Sequence, residues 1–155
     1  MEIENKIPQS CKVVVIGGGV AGCSTAYHLA KFGWKDTILL ERDVLTSGTT
    51  WHAAGLIGQL GSSATITKLR NYSLNLYKKL EEETGLSTGL KQNGSLTVAT
   101  TPERLEELKR QLTFAQRFDI EAKQVSNEEI KEIYPLINTK DLVGGVFIKK
   151  DGQAD

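Results

Sequence analysis

Several things are scarce in this chain, and each shortage removes a class of protein. Among 155 residues there are only two cysteines. Cys11 and Cys23 match no metal-ligand spacing, so they read as two reduced thiols in a cytosolic-type protein, and no metal is expected. No apolar run approaches the roughly 20 residues that a bilayer-crossing helix needs, so a membrane is not an expected partner. Met1 to Ser10 lacks the apolar core of a signal peptide and the arginine richness of a transit peptide. The expected compartment is the cytoplasm, or the mitochondrial matrix if the chain is eukaryotic and its presequence is missing. Charge of one sign is absent as well. Nineteen basic residues balance nineteen acidic ones, and with no basic stripe nucleic acid is not an expected partner. Repeats and low-complexity linkers are missing too.

What is present is glycine, placed where a strand turns into a helix. Lys12-Val13-Val14-Val15-Ile16 is a β-branched apolar run that reads as a strand buried on both faces. Gly17-Gly18-Gly19-Val20-Ala21-Gly22 follows, in the pattern G-x-G-x-x-G. A second apolar run, Thr37 to Leu40, ends in the acid Glu41, about 20 residues after Gly22. That is the spacing a strand–helix–strand unit needs to bring a carboxylate to a ribose. Gly17 permits the tight turn, Gly19 lets a diphosphate approach the backbone, and Gly22 lets the helix pack on the strand. Val20 and Ala21 offer backbone only, at a helix N-terminus whose free N–H groups and positive dipole end face the phosphates. Glu41 accepts from ribose hydroxyls and, with Arg42, flanks the adenosine ribose.

The next stretch separates flavin from nicotinamide. Asp43 to Leu56 is small, hydroxyl-rich and punctuated by glycine, which suits a loop lying against something bulky. A nicotinamide-binding unit more usually passes from the acid into another crossover helix. A flavin needs contacts well beyond its diphosphate, and an extended loop supplies them.

Three segments carry a resemblance. Val13 to Gly19, Leu39-Leu40-Glu41-Arg42, and Leu45-Thr46-Ser47-Gly48-Thr49-Thr50-Trp51-His52-Ala53-Ala54-Gly55 resemble the dimethylglycine and sarcosine dehydrogenase family, within the D-amino-acid-oxidase-like flavoproteins. The likeness continues through Leu80 to Gly85, Gln92 to Leu96, Tyr134-Pro135-Leu136 and Asp151-Gly152, with T-W-H-A-A-G its most specific part. It implies an α/β fold in which a Rossmann-like FAD-binding domain interleaves with a substrate domain on a mixed or antiparallel sheet. Residues 1–85 would be the first FAD-binding segment and 86–155 the start of the substrate domain, the chain being the front of a longer protein. By itself such a piece is expected to hold FAD poorly.

The resemblance also implies site chemistry. Read by residue type alone, His52 is a polar loop contact. In the resembling dehydrogenases the histidine of this motif bonds covalently to the flavin 8α-methyl carbon. Ser47, Gly48, Thr49 and Thr50 would give N–H groups and hydroxyls to the diphosphate and ribityl chain. Trp51 would wall the ring or pack in the core, and Ala53, Ala54, Gly55 and Leu56 would complete the loop. No catalytic base is expected before Asp155. The implied reaction oxidises the C–N bond of a small N-methylated glycine derivative, with tetrahydrofolate in a C-terminal half where one follows. Another FAD-dependent amine or amino-acid oxidase of the same fold, and a silent regulatory relative, stay open, as does the electron acceptor.

Beyond the glycine turn the elements are plainly punctuated. A helix from about Val20 to Phe32 turns Gly22, Ala26, Leu29 and Ala30 to one face and exits at Gly33. His28 on it reads as a surface or packing histidine. Thr65 to Glu83 predicts a helix, with Ile66, Leu69, Ser73, Leu76, Tyr77 and Leu80 at helical spacing and Gly85 ending it. Gly94 to Ala99 predicts a strand. Thr101 and Pro102 open a helix to about Phe118, with Leu105, Leu108, Leu112 and Ala115 inward. Ser126 to Glu129 is a capping box for a short helix that Pro135 ends, and Leu142 to Ile148 predicts a last strand.

Overall fold

A computed structural model describes residues 8–154, so most of the reading of Met1 to Ser10 lies outside the described residues. The chain divides into two compact units, one up to Ala54 and one from Gly55.

The first unit is a strand–helix–strand. β1 (Val13–Ile16), α1 (Val20–Lys31) and β2 (Thr37–Leu40) follow in order, and β1 pairs with β2 in parallel from Val13↔Thr37 to Ile16↔Leu40. Parallel pairing needs a crossover, and α1 supplies it. The expectation that β1 is buried on both faces is corrected. Val13 and Val15 are half-buried, whereas Val14 is 49% and Ile16 86% exposed. Successive side chains leave a strand on opposite faces, and among the described helices and strands of this unit α1 is the one that packs on the pair. On α1, Gly22, Ala26 and Leu29 are half-buried as expected, but Ala30 is exposed. Gly33 leaves the helix with φ +87°.

The second unit holds β3 (Leu56–Ile57), α2 (Ala64–Thr84), β4 (Ser95–Ala99), α3 (Pro102–Gln116), β5 (Ala122–Val125), α4 (Asn127–Ile133), β6 (Gly144–Ile148) and β7 (Gly152–Gln153). β6 is the centre of an antiparallel sheet in the order β4-β6-β5, and β3 pairs antiparallel with β7. The caps that the sequence announces are in place. Thr101 caps α3 with Pro102 in its first turn, Ser126 and Glu129 form the capping box of α4, and Gly85 closes α2 at φ +70°. The core joins α3 to the sheet through Ala99, Leu108, Ala115, Ile120, Val146 and Ile148, with Leu105 and Leu112 packed at its margin.

Three strands were not foreseen. β5 reads Ala-Lys-Gln-Val, too polar to announce itself, and it forms because β6 offers a paired edge. β3 and β7 are two residues each and hold one another. The last long strand also begins later than Leu142: its ladder opens at Gly144, which pairs with Ala99 and takes φ +136°. On α2 the fully buried positions are Thr67 and Leu74, whereas Ile66 and Leu69 are exposed. Thr67 can be buried because its hydroxyl donates to Ser63 O at 2.9 Å and accepts from Gly61 N–H at 3.1 Å.

Candidate dinucleotide-binding site

The glycine turn between β1 and α1 is held by its neighbours in the first unit. Gly17 takes φ +99°, a conformation that costs glycine little, and its N–H donates to Leu40 O at 2.8 Å. Gly18 is buried, and its N–H donates to Glu41 Oε2 at 2.6 Å. Its carbonyl accepts from Thr46 N–H at 2.9 Å and from the Cys23 thiol at 3.3 Å. Gly22 fulfils the close-packing role that its place in the motif predicts. A Cβ there would lie 1.8 Å from Gly17 O, far inside van der Waals contact.

α1 has no cap of its own, since Gly19 is its N-cap residue and carries no side chain. The cap comes from the loop instead: Val20 N–H donates to Thr50 Oγ1 at 2.9 Å. The remaining first-turn N–H groups, those of Gly19, Ala21 and Gly22, have no acceptor among the described residues. A Cβ on Gly17 would meet nothing within 4 Å, and one on Gly19 only Thr50 Oγ1. An open glycine cradle with unspent donors at a helix N-terminus fits a diphosphate.

Glu41 already accepts three backbone N–H groups, from Gly18, from Arg42 at 2.7 Å and from Asp43 at 3.2 Å. The Gly18 N–H, followed by those of Asp43 and Arg42, holds its carboxyl below the usual carboxylate range. Each carboxylate oxygen has two lone-pair sites, so a ribose hydroxyl can still be accepted. At neutral pH the group is ionised, as a hydroxyl acceptor should be.

From Asp43 to Ala53 the chain winds through tight turns. Ser47 N–H donates to Val44 O, Trp51 N–H to Gly48 O, His52 N–H to Thr49 O and Ala53 N–H to Thr50 O, each at 3.2 Å. His52 is exposed, with Nδ1 2.9 Å from Gly48 O. A carbonyl can only accept, so Nδ1 is the donor in this contact and Nε2 is the ring nitrogen outside it. Trp51 is 78% exposed. Arg42, Ser47, Gly48, Thr49, Ala53 and Ala54 are exposed on the same unit. Gly55 and Leu56 fall in the second unit, where Gly55 O accepts from Ala154 N–H at 2.8 Å and Leu56 lies on β3.

Of the expected residues, Glu41, Thr50 and the glycines are thus brought directly together. Two participants were missed. Cys23 was read as an ordinary thiol, yet it closes on the turn. Thr46 reaches it with a backbone N–H, at φ +67°, which no residue type announces.

The family model for FAD-dependent oxidoreductases matches residues 12–155. The chain belongs to this family. It is 46% identical over 150 residues to the mitochondrial sarcosine dehydrogenase of Homo sapiens, covering 96% of this chain and 16% of that protein. It is 42% identical over 155 residues to the mitochondrial dimethylglycine dehydrogenase of Homo sapiens, covering all of this chain and 18% of that protein. Among solved structures, L-proline dehydrogenase from P. horikoshii superposes with a TM-score of 0.88 at 32% identity, over 96% of this chain and 39% of that one. The fold class and the family resemblance therefore stand, and the chain spans under a fifth of the length of these two relatives. Among the described residues no helix is long and apolar enough to cross a membrane.

Proposed function

We propose that the whole protein is an FAD-dependent oxidoreductase that oxidises the C–N bond of an N-methylated glycine derivative, of dimethylglycine or sarcosine type. One observation carries the reading. The glycine turn and the T-W-H-A-A-G loop are one hydrogen-bonded assembly, and that assembly leaves both diphosphate donors and His52 Nε2 free. Bound FAD supplies the acceptor for two electrons from the substrate, and hydrolysis of the resulting iminium releases the methyl carbon at the formaldehyde level. Where a folate-binding C-terminal half follows, tetrahydrofolate takes up that carbon. Residues 1–85 then serve as the first FAD-binding segment and 86–155 as the start of the substrate domain. The matrix in a eukaryote, or the cytoplasm in a bacterium, is the compartment that goes with this reading.

The chain's own residues have distinct parts in it. Gly17, Gly19 and Gly22 shape the turn, and the N–H groups of Gly19, Ala21 and Gly22 take phosphate oxygens. Glu41 and Arg42 flank the adenosine ribose. Ser47, Gly48, Thr49 and Thr50 line the path of the ribityl chain, with Trp51, Ala53, Ala54, Gly55 and Leu56 completing it. His52 is the covalent attachment point. Its Nδ1–H is tied to the Gly48 carbonyl, so Nε2 is the nitrogen available to bond the flavin 8α-methyl carbon.

The test uses the full-length protein with and without His52→Ala, precipitated in acid and washed. Flavin absorbance that stays in the wild-type pellet and leaves the variant is the expected result. Release from both proteins would make His52 a non-covalent contact. A protein that retains no flavin in its native state would move the reading to a regulatory relative without the chemistry.

A further inference from the structure

Asn93 is the one asparagine of this chain that a glycine follows. The pair stands at the entrance to β4, and the fold dictates its second member. Gly94 takes φ +84°, and a Cβ on it would lie 2.3 Å from the ring of Phe147. Nothing comparable holds the first member. Asn93 is exposed, and its side-chain amide has no hydrogen-bond partner among the described residues. The amides of Asn71 and Asn127, by contrast, donate to Thr67 O at 3.0 Å and Leu142 O at 2.7 Å, and Tyr72 and Glu128 follow them.

An unpaired asparagine before glycine carries its own electrophile beside a nucleophile. The carboxamide carbon and the next main-chain nitrogen can close a five-membered ring, and glycine has no side chain to crowd the approach. In this fold the nitrogen is guarded. Gly94 N–H donates to Asp151 O at 2.8 Å. Asp151 is itself 4% exposed, with Oδ1 accepting from Gln59 N–H at 2.8 Å and Oδ2 from the Ser95 hydroxyl at 2.6 Å. Its carbonyl is thus held in place, and the Gly94 nitrogen is released only when this contact opens locally.

We propose that Asn93 is a site of spontaneous modification, deamidated through a cyclic imide at a rate that the Gly94–Asp151 hydrogen bond sets. Base removes the Gly94 N–H proton, and the nitrogen bonds to Asn93 Cγ. The Cγ–Nδ2 bond breaks, and Nδ2 takes a proton from solvent and leaves as ammonia. Water then opens the ring. Attack at Cγ leaves aspartate. Attack at the main-chain carbonyl leaves isoaspartate, in which the chain runs through Cγ and is one carbon longer. No oxidant, cofactor or enzyme takes part. The extra carbon falls between the bridge of Lys91 to Gln153 and the start of β4, so in the isoaspartyl form Gly94 loses its seat against Phe147 and its bond to Asp151.

The experiment incubates the full-length protein at neutral and mildly alkaline pH and follows each asparagine by peptide mapping. An isoaspartyl methyltransferase, used as a reagent, measures isoaspartate. Aspartate and isoaspartate should accumulate at position 93, isoaspartate in excess, while Asn71 and Asn127 stay intact. The rate should rise with hydroxide concentration and be faster still in the same protein unfolded in urea. Asn93→Gln should give no product at this position, because the longer side chain would have to close a larger ring. Ser95→Ala removes one of the two donors on Asp151 and should speed conversion of Asn93 about 3-fold or more. Amide exchange at Gly94 should quicken by the same factor. Asn93 that stays intact in the folded protein while it converts in urea would overturn the proposal, as would aspartate formed without isoaspartate. Conversion that does not follow Gly94 exchange would overturn the guarding role of Asp151.

Discussion

The two units of this chain are stabilised in different ways. Every fully buried apolar residue among those described belongs to the second unit, from Leu74 through Leu108 to Ile148. In the first unit α1 has no buried residue, and Ile16, Phe32 and Trp51 are each more than three-quarters exposed. What orders the first unit near its site is hydrogen bonding between the glycine turn, Glu41 and the loop that carries Thr46 and Thr50. A packed core fixes shape and leaves few backbone donors free. A glycine turn closed by polar contacts fixes shape while keeping N–H groups free for an anion.

The comparison can be broken most severely at Gly22. A methyl group there would sit 1.8 Å from a backbone carbonyl that cannot step aside without unwinding the turn. Gly22→Ala should cost about 4 kcal/mol or more, beyond ordinary overpacking because the obstacle is main chain. The expected readout is loss of flavin from the purified protein while the second unit keeps its amide protection. Retained stoichiometric flavin would show that α1 can withdraw from β1 cheaply. In the second unit the counterpart is Leu108, fully buried against the sheet. Leu108→Ala should cost about 3 kcal/mol through lost burial and an unfilled cavity. It should speed amide exchange across β4, β6 and β5 and spare the glycine turn. Equal exchange changes in both units would mean that they unfold together.

These contrasts also explain what the sequence could tell. The second unit was legible where punctuation is chemical. Thr101 with Pro102, Ser126 with Glu129, and Gly85 each mark a helix end by a side chain or conformation that only a few residues provide. β5 was illegible because Lys123 and Gln124 have no strand signature, and the strand exists only because β6 accepts it. At the site, Gly17, Gly22 and Glu41 were legible because sterics and charge demand those residue types. Thr50 was expected to serve a cofactor, and its bond to Val20 N–H was not foreseen. That bond spans 30 residues, and no local pattern encodes it. The same holds for Asp151, which entered the sequence reading only as part of the family resemblance. Its meeting with Gln59 and Ser95 is tertiary.

A smaller perturbation sharpens the contrast from the polar side. Thr50→Val keeps the shape of the side chain and removes the only side-chain cap that α1 has among the described residues. Loss of an N-cap acceptor typically costs about 1 kcal/mol. Amide exchange at Val20 should quicken, and flavin affinity should fall modestly because the donors around Gly19 are less well ordered. Exchange at Leu108 should not change. If Val20 stays protected, some other acceptor caps the helix and the loop is not what closes the turn.

The smallest expected effect is also the most specific, because it depends on pH. Backbone N–H groups from Gly18, Asp43 and Arg42 hold the Glu41 carboxyl below its ordinary range in the folded chain. A group whose folded pKa is depressed contributes stability that is present above the unfolded pKa. That stability is lost as pH falls through the folded pKa. The glycine turn should therefore loosen in acid, starting near the ordinary carboxylate range and finishing below it. Glu41→Gln keeps an acceptor for Gly18 N–H but cannot ionise, so its turn should be slightly looser at neutral pH and flat across the same acid window. Glu106, Glu107, Glu121, Glu128 and Glu129 are depressed too, chiefly by side-chain partners on the surface of the second unit. Global acid unfolding would mix all six groups, so the measurement has to be local. Amide exchange at Gly18, followed from neutral to acid pH with correction for the intrinsic rate, isolates Glu41. A pH-independent protection at Gly18 in wild type would mean that the carboxylate charge contributes nothing to the turn, and that Glu41 is kept for the ribose alone.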